Sequence, residues 1–271
     1  MNLNDLSILI LCAKPIEVTM KFQFKIQVLT CLFLLAVTFP FNALTNDLDR
    51  SELKQYKELI QNSIKQFEDT RRENWAFKVS RYENEEGDIT SSLEAYKPNN
   101  DLSKRWALIE INGQQPTKKQ IKKYIKTKQK ASKNDKDDDY SVRFREIINI
   151  DSLSLYGQSD THLEMTFDVH LKKLGEDAKG KLDGMLTFHK NKQFIDSITV
   201  VNNSEFSPLF SASISDFNLT FKFVKIKNAI LPLENTLDMK GSFAFFTDIE
   251  ETSIDRFSDY SYDAPQVVDK P

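Results

Sequence analysis

Hydrophobic and polar positions follow three rhythms along this chain. The first is a continuous apolar run. Ile26 to Phe39 carries no charge, follows Lys21 and Lys25, and ends at Pro40 with the small residue Ala43 just beyond. A basic start, a short apolar centre and a small-residue exit form the layout of a secretory signal peptide. The run falls short of the about 20 apolar residues that a membrane-crossing helix needs. The pattern predicts a leader over 1–45, one domain over 46–262 and a disordered tail over 263–271. Cleavage after Ala43 puts bulky Phe41 at the third position upstream, and cleavage after Thr45 ends on a Thr, so both exits stay open. Acidic Asp5 and Glu17 precede Met20, where a leader carries positive charge. Met1 and Met20 are therefore both candidate starts.

The second rhythm is helical. Leu53, Tyr56, Ile60, Ile64 and Phe67 recur at steps of three and four, which puts them on one face of a helix from Asp49 to Phe67. Asp49 and Glu52 have the spacing of a capping box. A second helix is expected from Lys118 to Lys130, opened by the Thr117-x-x-Gln120 pattern. Its seam is only Ile121, Tyr124 and Ile125, and its other faces are rich in Lys, which reads as a solvated surface. The segment from Ser132 to Asp139 is polar and reads as an exposed loop. Asp135, Asp137 and Asp139 alternate there as in a calcium loop, but the Gly and the closing Glu of such a loop do not follow.

The third rhythm has a period of two. It predicts strands over Trp75–Glu83, Ile89–Tyr96, Arg105–Ile111, Ile147–Tyr156, Leu163–Leu171, Leu186–Phe188, Ile195–Val201 and Phe217–Phe223. Leu231–Met239 and Ser242–Thr247 read as a pair around Lys240-Gly241, and Ile254–Tyr262 closes the series. Turns are expected at Asn84–Asp88 and Gly180–Gly184, and a loop at Asn202–Pro208. Strands with one apolar face each belong to an antiparallel sheet packed on one side. The expected fold class is α+β: a strongly curved antiparallel sheet, an incomplete β-barrel, with helices covering its concave side.

Composition narrows the chemistry. The formal net charge is −3, which points away from nucleic acid, whose binders carry a clustered basic excess. Both cysteines, Cys12 and Cys31, lie in the leader, so the predicted domain has no thiol for a disulfide, a nucleophile or a metal. Catalytic and metal residues are both predicted as none, and no cofactor motif is present. His162 and His170 share a strand face but stand eight residues apart, about 26 Å along a strand, too far for one metal. His189 neighbours either one only through cross-strand pairing. There is no Gly-x-Ser-x-Gly turn and no phosphate-cradling glycine loop.

Several segments resemble exported bacterial proteins of the LolA-like superfamily, the outer-membrane lipoprotein-sorting type. Lys104 to Thr117 (KRWALIEINGQQPT) is a Trp-bearing strand leading into an Asn-Gly-x-x-Pro-Thr turn and a helix. Glu205-Phe206-Ser207-Pro208 before a long alternating strand, Leu231-Pro232, Lys240-Gly241 and Phe257-Ser258-Asp259-Tyr260 are similar to that group as well. The resemblance implies an incomplete barrel whose helices lid an apolar cavity that shelters acyl chains. It also implies a functional arginine on the sheet, for which Arg81, Arg105, Arg143 and Arg145 are the candidates.

The expected function is an exported, periplasmic or envelope-associated binding protein for a lipid or other apolar ligand. Trp106, Phe167, Phe188, Phe217, Leu219 and Phe221 are the expected lining residues. The expected partners are a lipid or acyl chain and an envelope protein, with no nucleic acid. Two alternatives stand beside it: an enzyme on the same scaffold, and an envelope scaffold without a ligand.

Overall fold

A computed structural model describes residues 50–134, 143–171, 174–244 and 247–263. The leader with its alternative starts and exits, Asp49, residues 135–139 of the expected exposed loop and the tail from 264 lie outside these residues, while residues 132–134 of that loop are helical instead. Among the described residues, no helix is long and apolar enough to cross a membrane.

Helix α1 (Arg50–Asp69) buries Ile60, Ile64 and Phe67, the C-terminal part of the expected seam. Each such burial stabilises by about 1.5–3 kcal/mol. Thr70 ends the helix, its hydroxyl donating to the Gln66 carbonyl at 2.8 Å. Helix α2 (Lys118–Asn134) opens on the expected reciprocal cap. Thr117 N donates to Gln120 Oε1 at 2.8 Å, and Gln120 N donates to Thr117 Oγ1 at 3.3 Å. A third, one-turn helix, α3 (Phe144–Ile147), buries both of its terminal residues.

The strands are β1 (Trp75–Glu85), β2 (Asp88–Tyr96), β3 (Trp106–Ile111), β4 (Ser154–Gln158), β5 (His162–Asp168), β6 (Leu182–His189), β7 (Phe194–Asn202), β8 (Phe206–Leu209), β9 (Ala212–Ile226), β10 (Ala229–Phe243) and β11 (Thr247–Tyr262). They form one 11-stranded sheet in the order β3-β2-β1-β11-β10-β9-β7-β6-β5-β4, with β8 added beside β9. Each pairing is antiparallel, and β3 and β4 are the two edges, so the sheet does not close.

Four local readings need correction. The strand expected from Ile147 is α3 followed by a 3₁₀ turn, and β4 begins only at Ser154. Phe144 and Ile147, three apart, both reach the core through a helical turn, which a period-two reading misses. The loop expected up to Pro208 contains β8. Gly184 lies inside β6 rather than in a turn. Its bare backbone leaves room for the Phe167 ring, whose Cε2 would stand 2.3 Å from an added Cβ. Lys240-Gly241 is likewise no turn but lies inside β10, opposite a bulge at Ser215 of β9. A Cβ on Gly241 would meet the Ser213 carbonyl oxygen at 2.1 Å, so Gly serves close strand approach here, and the hairpin turns after Phe243.

Both long helices contact one face of the sheet. On that face α1 packs against β7 and β10, with Ser63 Oγ accepting from Ile195 N at 2.9 Å in the core. Phe67 meets Phe144 at 4.8 Å and Phe223 at 5.1 Å between ring centres. Tyr124 and Lys128 of α2 reach Glu94 on β2.

Candidate functional site

The register places a single row of residues across the helix-bearing face. From β4 to β9 the row reads Leu155, Met165, Leu186, Ile198 and Phe221. It continues through Asn235 on β10, Asp255 on β11, Arg81 on β1 and Ser92 on β2. The face is thus apolar over one half of the sheet and charged over the other.

The charged half is tightly paired. Arg81 Nη1 donates to Asp255 Oδ2. Its Nε stands 3.2 Å from Glu94 Oε1 but makes no hydrogen bond. Glu94 Oε2 takes the Lys128 ammonium and the Tyr124 hydroxyl, each at 2.9 Å. Lys128 Nζ also lies over the Trp106 ring, 4.3 Å from its centre. Glu94 and Asp255 are both buried, at 4% and 5% exposure. Burial alone would raise the Glu94 carboxyl, but Arg81 and Lys128 outweigh it and hold the group below its ordinary range. Asp255 is pushed up, because burial outweighs its share of Arg81. Burial and the Arg81 charge together lower the Lys128 ammonium. Burial and the neighbouring Glu85 raise Glu83, one row further on.

Beside this cluster runs a chain of aromatic rings. Phe77 stacks on Tyr96 at 5.2 Å and stands 5.8 Å from both Trp106 and Phe257 and 5.6 Å from Tyr260. Phe77, Trp106, Phe257 and Tyr260 are only half-buried. The chain extends through Trp75, 6.5 Å from Tyr260 and 5.4 Å from Tyr262. Trp75 and Tyr262 in turn wall an open groove of about 750 Å³ at the C-terminal end of α1, which also carries Lys65, Arg71 and Lys227.

The expected lining residues fall into two groups. Phe167, Phe188, Phe217, Leu219 and Phe221 sit on the apolar half and are 0–6% exposed. Trp106 sits in the half-buried aromatic chain. Of the candidate arginines, Arg81 lies on the sheet within the charged cluster. Arg105 Nε donates to the Asn99 carbonyl at 2.6 Å, and Arg145 pairs with Glu68. Arg143 precedes α3. Glu94, Asp255 and Lys128 were not distinguished by sequence, and Tyr124 was read only as part of the α2 seam. They come from three separate segments; Tyr124 and Lys128 stand four apart on α2, but no spacing links them to Glu94 or Asp255.

The histidines also sort differently in space. His162 and His189 are directly paired between β5 and β6, while His170 N bonds to Ile147 O beyond the end of β5. Among the described residues, no group of three or more His, Cys, Asp or Glu side chains is placed to hold a metal ion.

No family model matches the sequence, and no curated protein matches it. Among solved structures, the chain is similar to a DUF1329 family protein from Desulfovibrio piger. The match has 6% sequence identity and a TM-score of 0.32, covering 81% of this chain and 95% of that one. At that score the likeness carries no inference about function.

Proposed function

We propose that this chain is an exported, envelope-associated binding protein for a lipid or other apolar ligand, built on a LolA-like, strongly curved sheet whose helices cover the concave side. The observation that carries this reading is the half-buried aromatic chain of Phe77, Trp106, Phe257 and Tyr260. It shares a face with a fully packed core yet keeps ring surface accessible, as a ligand site does. The groove beside Trp75 and Tyr262 holds Lys65, Arg71 and Lys227 against Asp69, which suits the polar, anionic end of an amphiphile. The buried phenylalanines of the apolar half then serve as the wall that fixes the sheet's curvature. The test is titration of delipidated protein with a fluorescent fatty acid. Saturable binding that weakens in Trp106→Ala and Phe257→Ala supports the reading, and absence of saturable binding overturns it.

The enzyme alternative gains from one observation. Ionisable groups converge on the same face, and Asp255 and Glu83 are both pushed above the ordinary carboxylate range. Turnover of an ester-linked lipid, abolished by Asp255→Asn in a folded protein, is the result that would favour it.

A further inference from the structure

We propose that His162 and His189 form a transition-metal site, separate from the aromatic chain, that binds an ion of the Zn²⁺ or Cu²⁺ class through one ring nitrogen of each. The two residues are direct cross-strand partners on β5 and β6. They sit at the positions that alternate with the buried Leu163 and Phe188. Their ring centres are 4.7 Å apart, tilted by 46°. Two imidazoles on one tetrahedral ion, each with a metal–nitrogen distance of about 2.0–2.1 Å, hold their ring centres about 5 Å apart. The backbone register therefore already sets the spacing that chelation needs.

The surroundings of the pair are those of a ligand with an orienting carboxylate. His162 Nε2 is 2.9 Å from Asp196 Oδ2, on the neighbouring strand β7. A metal-bound imidazole commonly donates its second N–H to such a carboxylate, which fixes the ring and raises the basicity of the ligating nitrogen. That leaves Nδ1 of His162 for the ion. Thr161 Oγ1 stands 2.8 Å from it, and the hydroxyl must turn aside as the ion enters. The Phe194 ring stands 6.0 Å from the His189 ring, inclined to it by 29°. Neither His162 nor Asp196 is buried, with side-chain exposures of 35% and 30%, so an ion has direct access. Two imidazoles select for Zn²⁺, Cu²⁺ or Ni²⁺ over Mg²⁺ or Ca²⁺, and water completes the coordination.

Titration calorimetry with ZnCl₂ and CuSO₄ tests this on the tag-free full chain, with Cys12→Ser and Cys31→Ser removing the leader thiols. One ion per chain is expected at pH 7.5. His162→Gln and His189→Gln each abolish binding, Asp196→Asn weakens it about 10–100-fold, and His170→Gln leaves it unchanged. Binding that survives both His162→Gln and His189→Gln, or no saturable binding at all, overturns the proposal. A measurement on the unsubstituted histidines guards against misfolded variants. Saturating Zn²⁺ should protect His162 and His189, but not His170, from diethyl pyrocarbonate. Equal modification of all three overturns the proposal as well.

Discussion

Arg81 on β1 and Asp255 on β11 stand directly opposite each other and are ion-paired on the helix-bearing face of the sheet, 174 residues apart in the chain. Their carboxylate and guanidinium are enclosed where the same row elsewhere carries Leu, Met, Ile and Phe. Removing one partner leaves a buried charge without its counter-ion, which costs about 3–5 kcal/mol. Arg81→Ala should lower the unfolding free energy in urea by that order, and Asp255→Ala by less, because Glu94 Oε1 still stands 3.2 Å from Arg81 Nε. The double substitution Arg81→Met/Asp255→Leu should recover most of it. Equal losses in the single and double variants would show that the pair itself, not the orphaned charge, sets the cost.

Glu94 and Glu83 respond oppositely to pH. Glu94 lies below its ordinary range when folded, so its contribution is present above the unfolded value near 4.5 and fades as pH falls through the lower folded value. Glu83 is raised, so its charged form opposes folding above its folded value, and that opposition disappears on acidification towards 4.5. Glu83→Gln should therefore raise the thermal midpoint at pH 7 and have little effect at pH 4. Glu94→Gln should lower the midpoint at pH 7. Melting curves of both variants across pH 4–7.5 check the signs.

Helix α2 meets the sheet through a polar anchor, since Lys128 and Tyr124 converge on one oxygen of Glu94. Lys128→Met removes the ammonium from both Glu94 and the Trp106 ring. Amide exchange should speed up along α2 and leave α1 unchanged. In a Trp75→Phe background, the fluorescence of the remaining Trp106 should shift. Unchanged exchange in α2 would mean that its apolar seam alone holds it.

Two glycines carry close packing rather than turns. Gly241→Ala forces a Cβ against the Ser213 carbonyl, which cannot move without breaking the β9–β10 register. Gly184→Ala meets the Phe167 ring instead. Overpacking of this kind costs about 1–3 kcal/mol. Phe167→Leu should partly rescue Gly184→Ala, whereas no side-chain change should rescue Gly241→Ala. Paired unfolding measurements distinguish the two.

Ring burial distinguishes Phe188 from Trp106. Phe188→Ala, at a fully enclosed ring, should cost about 3–5 kcal/mol of stability. Trp106→Ala should cost less and instead weaken fatty-acid binding. A reversal of these two effects would move the ligand to the apolar half.

Most elements were legible in the sequence, because alternation and three-to-four spacing are local consequences of backbone geometry. Trp75–Glu83 and Phe217–Phe223 show their period directly, although the second strand extends over Ala212–Ile226, and Thr117 with Gln120 marks the start of α2 correctly. The errors fell where one residue type has two uses. Gly241 and Gly184 look like turn residues, yet their missing Cβ admits a neighbouring strand or ring, and that need is visible only with the neighbour present. Phe144 and Ile147 were too few to reveal a helical period.

The sequence by itself determined that this is a chain of alternating strands and two amphipathic helices, because hydrophobic spacing depends on nearest neighbours along the backbone. Only the tertiary structure decided which strands lie side by side. That choice divides one sheet face into an apolar half and a charged half, brings Arg81 to Asp255, and sets His162 beside His189. Register between distant strands is fixed by the packing of the whole sheet, so none of these pairings leaves a local trace in the sequence.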